Sequence, residues 1–138
     1  MTSTAIAICG LVVWAVLLSF VLITVRMSSV FRDDKALNEF HADGRDMAEI
    51  GLRITRAHAN ALENLALPAA LMLLAIVTNN SEVTSGLATT FLGCRVLQSV
   101  IHMISISGPM VMLRGALFTA QQIILIIWAM ELYSALAS

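Results

Sequence analysis

The second apolar run of this chain is too short to cross a membrane unless it takes charged residues with it. Eighteen uncharged residues lie between Glu63 and Glu82, but the strongly apolar part is only Leu65 to Val77. A membrane-spanning helix needs ~20 mostly apolar residues to cross ~30 Å of hydrocarbon. The stretch that opens the run, Arg53-Ile-Thr-Arg56-Ala-His58-Ala-Asn60-Ala-Leu-Glu63-Asn64, must therefore enter the hydrocarbon or sit at its edge. Charged groups there are costly, so they face a bundle interior, a partner charge or a wet cavity. A site is expected where this stretch faces inward.

The rest of the chain agrees with a membrane setting. Hydrophobic residues make up 59% and charged residues 12% of the chain, which excludes an ordinary soluble globule. At 138 residues the chain is read as one domain, 1–138, an all-α integral membrane protein built as a four-transmembrane-helix bundle. Residues 2–25 carry no charge, and the first helix is expected over about 4–30, with no basic leader or cleavage site to mark a removed signal peptide. A polar loop follows over about 31–46, then a second helix over about 47–78. Asn79 to Glu82 forms a polar turn, and a third helix is expected over about 83–106. Glycine and proline in Ser107-Gly108-Pro109 end it, and a fourth helix runs over about 110–135.

Six of the eight basic residues, Arg26, Arg32, Lys35, Arg45, Arg53 and Arg56, cluster in or beside the first loop, which puts that loop in the cytoplasm. A multi-pass protein of a bacterial inner membrane, its site toward the cytoplasm, is the expected location. The net charge of -1 gives no reason to expect nucleic acid as a partner. Cys9 and Cys94 sit in separate apolar runs without metal-type spacing and read as small apolar fillers, so no metal is expected.

At ~100° per residue, Glu49, Arg53, Arg56, Asn60 and Glu63 share a sector of ~80° on the second helix, while His58 points elsewhere. The third helix repeats the pattern with Arg95, Gln98, His102 and Ser105, and the fourth places Arg114, Phe118, Gln121 and Leu125 on one face with Gln122 beside it. Gln98 and Gln121 read as helix–helix hydrogen bonds, worth ~0.6 kcal/mol on average. Arg95 reads as a neutralising or anchoring charge. Arg26, Arg56 and Arg114 bring guanidinium groups from three helices to one leaflet.

Arginines with one carboxylate, Glu63, suit a small anionic ligand that also carries an amine. A guanidinium binds carboxylates through paired hydrogen bonds, and Glu63 can accept from an ammonium group. Glutathione has two carboxylates, one amine and a thiol. A guanidinium in a low-dielectric site favours the reactive thiolate, and the acceptor is then a lipophilic electrophile dissolved among the membrane lipids.

The run Arg56-Ala-His58-Ala-Asn60-Ala-Leu-Glu63-Asn64 resembles the signature of the MAPEG family, the membrane-associated proteins of eicosanoid and glutathione metabolism. The family includes microsomal glutathione transferases. The resemblance extends over nearly the whole chain and implies a homotrimer with glutathione, as co-substrate, between neighbouring subunits. It implies that Arg56, Asn60 and Glu63 hold the glutamyl end, and that Arg26 and His58 reach the glycyl end from the adjacent subunit; Arg53, on the same face of the second helix, is counted with the glutathione-binding residues. Arg114 matches the arginine that stabilises the thiolate. Thr119 and Gln122, beside Phe118, resemble a groove for the lipophilic second substrate. His102 stands where relatives carry a tyrosine that hydrogen-bonds glutathione, and Gly115 stands where prostaglandin-forming members have serine.

The expected function is therefore a glutathione transferase, with glutathione peroxidase activity on lipid hydroperoxides as a related chemistry. The alternative is a non-catalytic scaffold of the same fold that binds lipid or glutathione. A four-span drug exporter is disfavoured, because such exporters carry a carboxylate in the first span and this chain has none there.

Overall fold

The computed structural model describes residues 2–33, 36 and 38–137, and among them all regular structure is helical. Asp34 and Lys35 of the expected loop lie outside the described residues. The elements in order are α1 (Thr2–Asp33), α2 (Glu49–Glu63), α3 (Ala66–Val77), α4 (Ser81–Ser85), α5 (Ala88–Ile104) and α6 (Gly108–Ala137). Three stretches are long and apolar enough to cross a membrane: Ser3–Arg32, Glu49–Val77 (α2 with α3) and Gly108–Ala137. The stretch expected as a third span over 83–106 is divided between α4 and α5. The 17 residues of α5 rise only ~26 Å, less than the ~30 Å of hydrocarbon.

Most of the breaks have a local cause. The expected helix over 47–78 is interrupted at Asn64 and Leu65. The ring of Pro68 clashes with the carbonyl four residues back, which is that of Asn64, and cannot donate to it. Leu65 N–H falls back on Leu62 O at 3.2 Å, and the ladder restarts with Ala69 N–H to Leu65 O at 3.2 Å. The turn after α3 closes with Asn79 in the left-handed region (φ 59°). Asn80 N–H bonds Ala75 O at 2.8 Å and Asn79 N–H bonds Ile76 O at 3.2 Å, which satisfies the helix-end carbonyls. Between α4 and α5, α1 takes up freed polar groups: Ser3 Oγ donates to Ser85 O at 3.0 Å, and the Thr4 and Thr84 hydroxyls meet at 2.9 Å. Pro109 falls in the first turn of α6, where a missing N–H costs nothing.

The helical stretches alternate in direction, so the end of α1, the start of α2, the end of α5 and the start of α6 gather at one end of the bundle. Arg53 Nη1 donates to Ile104 O at 3.0 Å there, tying α2 to the C-terminus of α5. α5 is central, packing on α1, α2 and α6. The apolar core lies toward the other end, where Ala7, Leu11, Met72, Ala88, Phe91, Leu125 and Trp128 are buried together. The Phe91 and Trp128 rings meet at 5.5 Å between centroids. The polar residues of α2, α5 and α6 are thus held between that core and the basic end.

Candidate functional site

The α2 sector divides into two sides. Arg53 and Asn60 turn toward α5, whereas Arg56 and Glu63, on the other edge of the sector, are exposed on the single chain. Glycine and alanine at Gly51, Ala57 and Ala61 let the opposite face of α2 pack closely, and all three are buried. Glu63 makes no hydrogen bond or ion pair among the described residues.

Asn60 from α2, Gln98 and His102 from α5, and Val111, Arg114, Gly115 and Phe118 from α6 line a cavity of ≈ 280 Å³. Three of the sequence-derived polar site residues, Asn60, His102 and Arg114, therefore meet in one place, with Phe118 as an apolar wall. Arg114 Nη1 is buried without a partner. That leaves a guanidinium N–H beside the cavity available to an acceptor, and the unmet donor fits an anionic ligand. At ≈ 280 Å³ the cavity is just below the ~300–1,000 Å³ of usual small-molecule pockets.

Behind the cavity wall lies a buried polar cluster. Gln121 Nε2 donates to Leu117 O of its own helix at 2.9 Å and to Gln98 Oε1 at 2.9 Å, so each glutamine makes the kind of helix–helix bond expected of it, here with the other. Arg95, only 2% exposed, donates through Nη1 to Asn60 Oδ1 and to Gln98 Oε1, each at 3.4 Å. The Arg95 guanidinium also stands 5.9 Å from the Phe91 ring centroid. Its central place among α2, α5 and α6 is the feature that the sequence reading missed. Spacing showed that Arg95 and Gln98 share a face, but not that this face meets Asn60 and Gln121. Ser105, counted on the same face, lies beyond the end of α5 in extended backbone.

The other sequence-derived residues sit apart from the cavity. His58 Nε2 and Ser19 Oγ hydrogen-bond at 2.9 Å, so His58 faces α1 of its own chain. Arg26 donates to His41 O at 3.4 Å and lies 5.6 Å from the Phe40 ring centroid, beside a separate hollow formed with Ile23 and Met27. Arg56 borders another, with Asp43 and Arg45. Gln122 lines an apolar groove of ≈ 360 Å³ between α3 and α6, with Leu67, Leu71 and Ile126 among its walls. Thr119 is exposed and lines neither hollow. Phe118 and Gln122, expected in one groove, thus border two different spaces. Among the described residues no group of His, Cys, Asp or Glu is placed to hold a metal ion.

Long apolar helices with a polar cavity let into one end define an integral membrane protein of the all-α class. The chain belongs to the MAPEG family, whose model matches residues 4–133. Comparisons with curated proteins and with solved structures gave no match.

Proposed function

We propose that this protein is a glutathione-dependent membrane transferase acting on lipophilic electrophiles, with peroxidase activity toward lipid hydroperoxides as an extension of the same chemistry. The observation that carries the reading is the unpartnered Arg114 Nη1 beside a cavity that Asn60 and His102 also line. Membership of a family that includes glutathione transferases supports it. Glutathione would supply a nucleophilic sulfur. Arg114 would hold the sulfur as thiolate by charge and hydrogen bonding in a site of low dielectric. Asn60 and His102 would orient the tripeptide, and Phe118 would exclude water from one side. Arg53, Arg56 and Glu63 would bind its charged ends, with Arg26 and His58 contributing from a neighbouring subunit. In conjugation a carbon–sulfur bond forms and the leaving group departs with its electron pair.

The cavity of one chain is small for a whole tripeptide, and Arg56 and Glu63 stand exposed on α2 outside its lining. A homotrimer with the site between subunits accommodates both facts. In this reading α4 and α5 together make the third of four spans, the basic end of the bundle faces the cytoplasm, and the membrane is a bacterial inner membrane. The apolar groove beside Gln122 supports a second reading, a lipid-binding scaffold without chemistry.

Titrating glutathione into detergent-purified protein, and assaying turnover with a chromogenic lipophilic electrophile, separates the two. In Arg114→Ala, turnover is expected to fall by roughly 10²–10³, with a much smaller change in glutathione affinity. Turnover that survives this change would defeat the thiolate role. Binding without turnover in the native protein would select the scaffold.

A further inference from the structure

Arg95 is a buried cation with no described carboxylate beside it, and its Nε and Nη2 have no partner. As a fastener between helices this is a poor arrangement. A buried charge with unmet donors is costly, and an apolar side chain of similar volume usually serves stability as well or better. Its two contacts of 3.4 Å lie at the long end of hydrogen bonding. Their consequence is to decide which atoms of the neighbouring amides face it.

A guanidinium only donates, so an amide in contact with it must present oxygen. Gln98 therefore turns Oε1 toward Arg95 Nη1 and Gln121 Nε2, which leaves its own Nε2 to donate to Asn60 Oδ1 at 3.5 Å. Asn60 Oδ1 receives both Arg95 Nη1 and Gln98 Nε2. With its oxygen drawn inward, Asn60 has only Nδ2 left, and that nitrogen has no partner among the described residues although Asn60 lines the cavity. An isolated asparagine could present either end; this one is set as a donor.

We propose that Arg95 is a positioning residue that fixes the Asn60 amide so that Nδ2 is the donor offered to the cavity, selecting a ligand with a carboxylate or carbonyl oxygen at that point. The choice of glutathione as probe rests on the function proposed above; the amide orientation does not.

The test compares native protein with Arg95→Met, which keeps much of the volume and removes the donors. The chain has five asparagines, so the side-chain NH₂ signals of ¹⁵N-asparagine-labelled protein are few, and the Asn60 pair is identified as the one lost in Asn60→Asp. The expected result is that Arg95→Met moves the Asn60 pair, leaves the other pairs in place, and does not lower the melting temperature. Glutathione should bind roughly tenfold more weakly, the scale of one lost hydrogen bond. Arg95→Met with Asn60→Ala should bind no worse than Asn60→Ala alone, because the two residues act in series. An unmoved Asn60 pair overturns the proposal. So does a lowered melting temperature with additive losses of binding, which would make Arg95 a structural support. Where Arg95→Met does not fold, Arg95→Gln gives the same readout, since an amide can donate or accept and no longer obliges Asn60 to present oxygen. A moved Asn60 pair in a protein that does not bind glutathione would support the positioning role and overturn the proposed function alone.

Discussion

Glu63 and Asn60 stand about one helical turn apart on α2 and meet different surroundings. Asn60 is drawn into a buried cluster, whereas Glu63 is exposed on the single chain. A carboxylate that binds the ammonium group of glutathione contributes a charge-assisted hydrogen bond of ~1.5–3 kcal/mol. Replacing Glu63 by glutamine keeps the shape and removes the charge, so glutathione affinity should fall by roughly tenfold or more. The melting temperature of the ligand-free protein should hardly change, because Glu63 has no described partner to lose. Calorimetry on the variant checks this, and an unchanged affinity would put Glu63 outside the site. Helical spacing made much of the cavity legible, because Asn60, His102, Arg114 and Phe118 each sit on an inward face of their own helix. Spacing within a helix cannot say which residues of two helices meet. Arg95 therefore read as an anchor, and nothing in the sequence announced that His58 bonds to Ser19 of α1.

One backbone requirement in the loop between α1 and α2 falls on Gly44. Gly44 has φ +72°, and a Cβ there would stand 2.7 Å from Thr55 Oγ1 and 2.9 Å from Thr55 Cβ. Thr55 is buried and bonds back to Gly51 O at 2.9 Å, so it has little room to give way. Gly44→Val adds left-handed strain of ~1–2 kcal/mol to this overlap and should destabilise the protein by about 2 kcal/mol or more. Denaturation in mixed micelles measures it, and an unchanged midpoint would mean that the loop does not pack on α2. The helices themselves were largely legible from apolar runs, and the end of α5 was legible from Gly108 and Pro109. Pro68 carried an equal signal for the break at Asn64, but the apolar run around it masked the interruption. The division of α4 from α5 had less to announce it, since it involves Ser3 and Thr4 of α1, which lie 82 and 80 residues from their partners Ser85 and Thr84.

The bundle as a whole exposes apolar side chains along α1 and α6, as a surface facing lipid should. The outer edge of α2 does not fit that pattern. Glu63 is the fifteenth residue of the 29-residue apolar stretch Glu49–Val77, which puts it near the middle of the span rather than at an end. Arg56 lies closer to the end and its long side chain can reach the interface. A glutamate cannot reach as far, and an acidic group facing lipid at that depth costs ~2.5–3.5 kcal/mol on the insertion scale for aspartate. A second copy of the chain packed over this edge would remove the cost. We therefore expect the purified protein to be a homo-oligomer, a trimer, with the outer edge of α2 at the contact between copies. Native mass spectrometry should give the mass of three chains. Leu62, exposed beside Glu63, offers a second check. With Cys9 and Cys94 replaced by alanine, Leu62→Cys should form covalent dimers with a short bifunctional maleimide, and a cysteine on the lipid-facing side of α1, such as Val13→Cys, should not. A monomeric mass, or cross-linking from α1 alone, would leave Glu63 facing lipid and remove the reason for a shared site.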